Sequence, residues 1–461
     1  MVELLIRDAN VVMEDGIFRG DVAVEDGKII AIGKLDDTMK YEKVVDAGGF
    51  FLLPGGVDPH FHVRYPSHPE RGTFESETKA AAAGGVTTII EHPISLPPQY
   101  SKEILMARVQ AAEEQCIVDI AFLGAAGGEK IEYIREVGEA GIVGYKTFLH
   151  AAPEGRDKEF VGLTMKDNYE LYKSFQEFKQ SGLPVSAHAE DNDLISGLIK
   201  ESRAKGNTSG IDHAKTRPSI TEVLAVERLI RFGKENKVPL YLVHISTPEA
   251  ARVAKAARDA GQEIYIETCP HYLYLNEQAL IEHNAYAKCN PPLRSAEEVA
   301  QLWEFIIDGT IDTIGSDHSP FTVEEKERKK EDIFVAPSGF PGVEFRFPLM
   351  MSAVKEGRIT LLRMVELLST NPSKIFGMYP KKGAIRIGSD ADFALVDLDT
   401  PYVINHKDCL THAKDIGMIY DGKQVYGKVL KTFVRGEMVY DMGEIKVEPG
   451  FGQWVKREKT E

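Results

Sequence analysis

The feature that most constrains the fold is a regular alternation of short apolar runs with longer amphipathic segments from about Gly84 onward. The apolar runs stay apolar throughout instead of at every second residue, as parallel strands buried on both faces require. They include VTTIIEHP, VDIAFLG, IVGYKTFL, LPVSAHAE, VPLYLVHIS, QEIYIETCP and DTIGSDHSP. The segments between them have the pattern of helices. The alternation therefore predicts a parallel α/β fold, and the number of units favours a (β/α)8 TIM barrel over an open doubly wound sheet.

Both ends of the chain show a different pattern, with β-branched runs interrupted by Asp-Gly and Gly-Gly and no helical period. Examples are GDVAVEDGKIIAIGKL near the start and KVLKTFVRGEMVYDMGEIKV near the end. We therefore expect one small β domain built from residues 1–53 and 385–461, with the barrel domain at 54–384.

Composition limits the partners of this 461-residue chain. Its formal net charge of −16 argues against nucleic acid or an anionic membrane surface as the main partner. No apolar stretch approaches the length of a membrane span, and MVELLIRDAN lacks the features of a signal peptide. The four cysteines form no CxxC pair. These features predict a cytoplasmic protein.

Potential metal ligands and one lysine recur where the predicted strands end. Imidazole and carboxylate groups bind zinc and similar ions, and two histidines spaced i and i+2 on a strand point to one side. In a parallel barrel the carboxyl ends of all strands meet at one rim, so these side chains should face one cavity. The residues are His60, His62, Lys146, His188, His244 and Asp317.

Each of these residues has a structural alternative. A single histidine at a strand end is more commonly a hydrogen-bonded structural residue, and Asp317 could cap a helix. Lys146 could lie on an exposed strand edge, although a lysine within an apolar strand is costly to bury unpaired. Because such alternatives would have to hold independently on five strands, the pattern favours a shared metal site.

An ordered set of motifs resembles the cyclic amidohydrolases of the amidohydrolase superfamily, which comprise hydantoinases, dihydropyrimidinases, allantoinases and dihydroorotases. The resemblance extends almost from end to end. Its motifs are GGVDPHFH, AAAAGGVTTIIE, GYKTF, VSAHAE, LVHIST, ETCPHYL, KCNPPLRS, IGSDHSP, SGFPGVE, NPSKIFGMYPKKGAIRIGSDADFALVDL and KTFVRGEMVY. The resemblance implies a TIM barrel with a β-sandwich, two divalent metal ions, usually zinc, and a homo-oligomer, commonly a tetramer and sometimes a dimer.

The resemblance also implies roles for the ligand-type residues. His60, His62 and Asp317 would bind the more buried metal, and His188 and His244 the other. Lys146 would carry a carboxylate formed from carbon dioxide, N6-carboxylysine, that bridges both ions. Asp317 would be the catalytic residue, passing a proton from a metal-bridging hydroxide to the leaving nitrogen of a cyclic amide.

The motifs indicate the substrate ring less clearly than they indicate the metal ligands. Arg64 matches a dihydroorotase-like arginine that binds the substrate carboxylate, but Ile94 and Phe321 depart from the dihydroorotase motifs. Ala151 occupies the place of a tyrosine usual in D-hydantoinases and dihydropyrimidinases. We therefore expect a hydantoinase, with allantoinase as the alternative, followed by dihydroorotase or dihydropyrimidinase. A noncatalytic dihydropyrimidinase-like scaffold is disfavoured because every ligand position is filled.

Residues beyond the metal ligands complete the hypothesis. By the resemblance, Arg64, Asn290 and Ser338 would contact the substrate; alternatively, Arg64 forms a salt bridge and the other two are loop residues. His92 would line the pocket or hydrogen-bond to a ligand, and His271 would be structural. The charged run EEKERKKED (324–332) is most simply a solvated loop or helix face, and less simply an active-site lid.

Overall fold

Two β-sheets organise the chain in the computed structural model, which describes residues 2–35, 40–328 and 331–458. Within these residues one sheet has nine strands and the other has eight. The strands of the first sheet are β1 Val2–Met13, β2 Gly16–Glu25, β3 Lys28–Gly33, β4 Tyr41–Asp46, β5 Phe51–Pro54, β14 Phe393–Val403, β15 Gln424–Val434, β16 Glu437–Asp441 and β17 Glu444–Ile445. Those of the second are β6 Gly56–Phe61, β7 Val86–Glu91, β8 Asp119–Ala125, β9 Gly144–Phe148, β10 Val185–His188, β11 Leu240–Leu242, β12 Ile264–Thr268 and β13 Thr313–Ile314.

The second sheet is a nearly closed parallel barrel. Its strands β6 to β13 pair in chain order, and a parallel bridge between Phe61 and His318 connects its two edges. Strands β7 and β8 are buried along their whole length, because helices cover one face and packed side chains fill the other. The predicted TIM barrel is confirmed. An open doubly wound sheet would instead show a reversal of strand order.

Helices surround the barrel and begin at polar residues that cap them. Thr73 and Ser295 each form a capping box, and Asp167 accepts hydrogen bonds from the first turn of its helix. The α-helices are α1 Phe74–Ala83, α2 Lys102–Glu113, α3 Ile134–Glu139, α4 Asn168–Ser181, α5 Asn192–Ala204, α6 Gly210–Lys215, α7 Ser219–Asn236, α8 Pro248–Asp259, α9 Pro270–Tyr274, α10 Glu277–His283, α11 Ala296–Ile307, α12 Val323–Glu327, α13 Val343–Lys355, α14 Leu361–Val365 and α15 Asn371–Ile375.

The first sheet combines both ends of the chain. Strand β5 lies between β1 and β14, with Leu52 paired to Leu395 in an antiparallel register. A separate apolar cluster that includes Ile6, Val22 and Phe433 packs on this sheet. The expectation that both chain ends build one β domain beside the barrel is thus confirmed.

A buried ion cluster connects the barrel to the terminal sheet. Lys382, fully buried, forms ion pairs with Asp119 at the start of β8 and with Asp390 and Asp392 just before β14. Arg435, between β15 and β16, also pairs with Asp119. The two sheets are therefore joined by charges as well as by apolar contacts.

The charged run 324–332 differs from expectation at one residue, Lys326. Lys326 in α12 is fully buried, and its Nζ donates hydrogen bonds to the carbonyl oxygens of Ala285 at 3.0 Å and Pro337 at 2.9 Å. Glu325 forms a salt bridge with Arg71. Residues 329 and 330 lie outside the described residues. The prediction of a solvated loop or helix face therefore holds for Glu324 and Glu327, which are exposed, and is wrong for Lys326, whose side chain packs against neighbouring loops. Among the helices that the structure describes, none is long and apolar enough to cross a membrane.

Candidate metal centre

The ligand-type residues predicted from the sequence come together at the carboxyl ends of the barrel strands. They line one cleft of about 950 Å³. His60 belongs to β6 and His62 follows it, Lys146 lies within β9, and His188 ends β10. His244 follows β11 by two residues, and Asp317 follows β13 by three.

His60 and His62 both face the carboxylate of Asp317. The Nε2 atoms of the two rings are each 3.3 Å from the Oδ1 atom of Asp317. Burial lowers the pKa of both imidazoles well below its usual range, so both rings are neutral near pH 7. Two imidazole nitrogens and one carboxylate oxygen thus converge on one point.

His188 and His244 form a second converging pair. His188 Nδ1 lies 2.9 Å from His244 Nε2. The other ring nitrogen of His188, Nε2, donates a hydrogen bond of 2.7 Å to the Oε2 atom of Glu190. Since that bond places the proton of the neutral ring on Nε2, Nδ1 presents its lone pair toward His244.

Lys146 lies in the same cleft with a fully buried ammonium group. Among the described residues its Nζ has no hydrogen-bond partner, although the aromatic ring of Phe148 lies 4.8 Å away. Burial lowers the pKa of Lys146 to about 8. A buried amine without a partner is costly, so this site calls for a chemical group that the bare side chains do not supply.

Two of these residues have an unusual backbone conformation. His244 has a φ angle of 41° and Asp317 one of 46°, both in the left-handed region. Such angles are uncommon outside glycine, although Asn, Asp and His tolerate them better than other residues. Burial also raises the pKa of Asp317 to about 7.

Two buried glutamates support the histidines and were not identified from the sequence. Glu190 accepts the hydrogen bond from His188, and Glu267 in β12 accepts one of 2.7 Å from His60 Nδ1. A carboxylate behind an imidazole fixes the ring's tautomer and orientation and increases its basicity as a ligand. Two features of the sequence could have indicated these glutamates. Glu190 comes two residues after His188, and Glu267 lies inside the mainly apolar strand IYIET.

His92 and His271 both lie close to this group. The His92 ring stacks on that of His60 with centroids 3.9 Å apart, and its Nε2 donates to the Pro59 carbonyl oxygen at 2.9 Å. One nitrogen of each of His60, His62 and His92 lies within 4.8 Å of the other two. His271 packs against Tyr272 and Phe340 instead.

The predicted substrate contacts also line the cleft. Arg64, 2% exposed, donates hydrogen bonds to Ser319 Oγ at 3.0 Å and to the Pro320 carbonyl at 3.3 Å, and it lies over the Phe321 ring. The Ser338 hydroxyl donates to Asn290 Oδ1 at 3.0 Å. All three named side chains therefore border the space beside the histidines.

This arrangement suits divalent metal ions. Neutral imidazoles and a carboxylate are the ligands preferred by zinc and similar ions, and the supporting carboxylates resemble those of protein metal sites. The Nζ atom of Lys146, which has no hydrogen-bond partner within the described part of the chain, lies at the same cleft and would accommodate an added carboxylate as a further ligand. The residues present therefore fit two metal ions.

Comparison with known proteins agrees with this chemistry. The model of the amidohydrolase family matches residues 51–439. An L-hydantoinase of Paenarthrobacter aurescens is 34% identical, and the match covers 100% of this chain and 99% of that protein. An allantoinase of Escherichia coli O1:K1 is 33% identical, covering 97% of this chain and 96% of that protein. The solved structure of an L-hydantoinase (dihydropyrimidinase) from Arthrobacter aurescens has a TM-score of 0.94 at 34% identity, covering 99% of this chain and 100% of that one.

Proposed function

We propose that this protein opens a hydantoin-type ring. The premise is that the chain belongs to the amidohydrolase family and is a metal-dependent hydrolase of cyclic amides. The observation that carries the proposal is the convergence of four neutral imidazoles, one carboxylate and one buried lysine in a single cleft, where the lysine Nζ has no hydrogen-bond partner among the described residues. The full-length similarity to an L-hydantoinase supports the choice of ring.

In this proposal, each group of ligands has its own ion. His60, His62 and Asp317 hold the more buried ion, and His188 and His244 hold the second. The 3.3 Å and 2.9 Å separations between their donor atoms support this division. Zinc is the proposed metal, because imidazole and carboxylate ligands suit it. When bound, the two ions lower the pKa of a water molecule and polarise the ring carbonyl.

Lys146 is proposed to carry a carboxylate. Its neutral amine attacks carbon dioxide, a C–N bond forms, and one proton leaves, so the side chain becomes a carbamate anion. Burial favours this step, because it lowers the pKa of Lys146 to about 8 and so favours the neutral amine. The modification also replaces a buried cation with an anion that two ions can share.

Asp317 is proposed to transfer the proton during ring opening. Its carboxylate lies next to His60 and His62 at the cleft, where it can accept a proton from the attacking water and release it to the leaving ring nitrogen. Proton delivery to that nitrogen lets the C–N bond break with a neutral leaving group.

Arg64, Asn290 and Ser338 are proposed to bind the ring and its substituent. Arg64 is buried beside the cleft and, among the described residues, has no carboxylate in ion-pair contact, which suits a substrate with a carbonyl or carboxylate at that end. Backbone groups around Asn290 and Ser338, whose side chains hydrogen-bond to each other, would bind the amide edge of the ring. Allantoin is the second candidate substrate, favoured by the similarity to an allantoinase over 97% of the chain.

The proposal includes the organisation of the protein. Residues 54–384 would form the metal-dependent domain, and residues 1–53 with 385–461 the β domain. The proposed assembly is a homo-oligomer, a tetramer or a dimer. A cytoplasmic location fits the four buried cysteines, all of which are free thiols.

A hydrolysis panel tests the function. Zinc-loaded protein prepared with bicarbonate, its metal content measured, is assayed with hydantoin, D- and L-5-substituted hydantoins, allantoin, dihydrouracil and dihydroorotate. Protein treated with a chelator is the control. We expect the highest kcat/KM for a hydantoin. Preference for allantoin would establish the second candidate, preference for dihydrouracil or dihydroorotate would refute both, and no hydrolysis with two metals bound would reject the substrate class.

A further inference from the structure

His150 borders the cleft at a position that neither metal group uses. It follows the end of β9 by two residues and is buried except toward the cleft. Its ring meets that of His188 edge to face, with centroids 4.6 Å apart and an angle of 84° between the ring planes. A substrate held beside His188 therefore comes close to the His150 ring.

Several contacts fix the position of this side chain. The amide of Leu149 donates to the His188 carbonyl at 3.1 Å, and the amide of Ala151 donates to Asn192 Oδ1 at 2.9 Å. The ring also packs edge-on against Phe148, with centroids 5.3 Å apart. Since the residues on both sides are tied to a strand and a helix of the barrel, the imidazole is held in place before a substrate arrives.

The hydrogen bond at Nδ1 determines what His150 offers to the cleft. His150 Nδ1 lies 2.6 Å from the Ala151 carbonyl oxygen. A carbonyl oxygen only accepts hydrogen bonds, so Nδ1 carries the proton of the neutral ring and Nε2 carries the lone pair. Within the part of the chain that the structure describes, Nε2 makes no hydrogen bond. His150 thus presents to the cleft an acceptor that no group among the described residues occupies.

His150 and Asp317 lie at opposite ends of the histidine group. Asp317 contacts His60 and His62. His150 contacts His188, which in turn faces His244. When Asp317 delivers a proton to the leaving nitrogen of the ring, the ring group that contacts His150 is on a different edge of the ring.

We propose that His150 determines specificity, with Nε2 accepting a hydrogen bond from the N–H of the ureide ring that is not cleaved. This inference rests on the proposed function. It predicts that the site prefers cyclic ureides over cyclic imides, which carry a methylene in place of that N–H. An imide would leave the Nε2 acceptor dehydrated and without a partner, which a site built for hydrogen bonding rejects.

Hydantoin and succinimide form the appropriate pair of substrates, because they differ only by this N–H and methylene exchange. The zinc-loaded wild-type protein should show a higher kcat/KM for hydantoin. In His150→Phe, kcat/KM for hydantoin should fall about 10- to 100-fold while that for succinimide changes less than about twofold. His150→Gln, whose Oε1 reaches the place of Nε2, should restore most of the preference. His68→Phe alters another histidine bordering the cleft and is the matched control, with an unchanged ratio.

The outcomes separate the two proposals. An equal loss for both rings in His150→Phe, or an unchanged ratio, overturns the specificity role. Loss of bound zinc in His150→Phe also overturns it, because the residue would then be a metal ligand. If the wild-type protein opens succinimide as readily as hydantoin, the specificity role fails while the proposed ring opening stands. If it opens neither ring with two metals bound, both fail.

Discussion

The left-handed backbone at His244 and Asp317 shows how individual residues are fitted to this site. Both occur just after a barrel strand, with φ angles of 41° and 46°. A strand that continued straight would carry the side chain past the cleft, whereas this turn aims it at the neighbouring ligands. Such conformations cost about 1–3 kcal/mol, and they persist where the surroundings hold them. The choice of residue is thus restricted by conformation as well as by chemistry.

Substitution Asp317→Asn separates these two demands. Asparagine tolerates the left-handed conformation, so the fold should be retained. The amide cannot accept and release the proton, so kcat should fall by about 10²–10⁴. Steady-state kinetics on protein with measured zinc content and an unchanged thermal unfolding midpoint would establish this. Turnover within tenfold of wild type at full zinc occupancy would refute the proton-transfer role.

Substitution Lys146→Ala tests the proposed carbamate. Without the lysine no bridging anion can form, so the protein should lose the metal pair and most of its activity. Metal analysis after gel filtration measures the first effect and the hydrolysis rate the second. Lys166→Ala, which removes an exposed lysine paired with Glu129, is the matched control and should keep both ions. Two metals and full activity in Lys146→Ala would eliminate the carbamate.

At the scale of elements, the barrel was readable from sequence because its strands are apolar on both faces and its helices are amphipathic. The same regularity indicated the ligand positions, since parallel strands all end at one rim. His60, Lys146 and His188 could therefore be grouped without knowledge of any contact. The order of strands in the terminal sheet was not predicted, because pairing between distant segments leaves no local pattern.

Supporting residues were harder to recognise for a physical reason. The role of Glu267 depends on where β12 lies relative to His60, which is 207 residues away along the chain. His150 acquires its position from a loop conformation and from a bond to Asn192 by its neighbour Ala151. Lys326 lies in a run whose average composition indicates exposure, although this one side chain is buried. Composition averages over residues, whereas burial is decided for each one.

Helix α12 should make stability depend on pH through Lys326. Burial lowers the pKa of Lys326 to about 7 from the unfolded value of 10.5. Between these values the unfolded chain binds more protons, so this group makes the folded state more stable as pH rises from 7 to 10.5. In Lys326→Met that contribution disappears. The unfolding midpoint of wild type relative to the variant should therefore increase across this range, as measured by thermal unfolding at several pH values.

A constant difference between the two proteins from pH 7 to 10 would show that Lys326 keeps its proton in the folded state. Lys355→Met is the control for the method. Its ammonium lies on the surface beside Asp399, which raises the pKa of Lys355. Lys355 therefore stays protonated from pH 7 to 10 in both the folded and the unfolded chain. The unfolding midpoint of wild type relative to Lys355→Met should not change across that range.

At the scale of the whole molecule, Lys382 holds the barrel and the terminal sheet together. Asp119 belongs to the barrel, whereas Asp390 and Asp392 precede β14 of the other sheet. The three carboxylates raise the pKa of Lys382 despite its complete burial. A buried charge of this kind is stabilised only while its partners remain in contact.

Removal of this ammonium should destabilise the protein strongly. Lys382→Met leaves Asp392 without a cation and leaves Asp119 and Asp390 with one partner each, Arg435 and Lys28. We expect a loss of about 3–5 kcal/mol in the free energy of unfolding. Lys28→Met removes a partly exposed lysine that also pairs with Asp390, and it should cost only about 0–1 kcal/mol. Urea unfolding of the metal-loaded proteins measures both. Equal midpoints for the two variants would contradict a structural role for the cluster.

The pairing of β5 with β14 has a consequence for folding during protein synthesis. Leu52 has to meet Leu395, and ~340 residues must be synthesised between them. At about 5–20 residues per second, roughly 20–70 s pass on the ribosome between the synthesis of β5 and that of its partner β14. During that interval the edge of β5 is open to other chains. Conditions that slow translation should therefore increase aggregation of the nascent protein even where the finished molecule is stable.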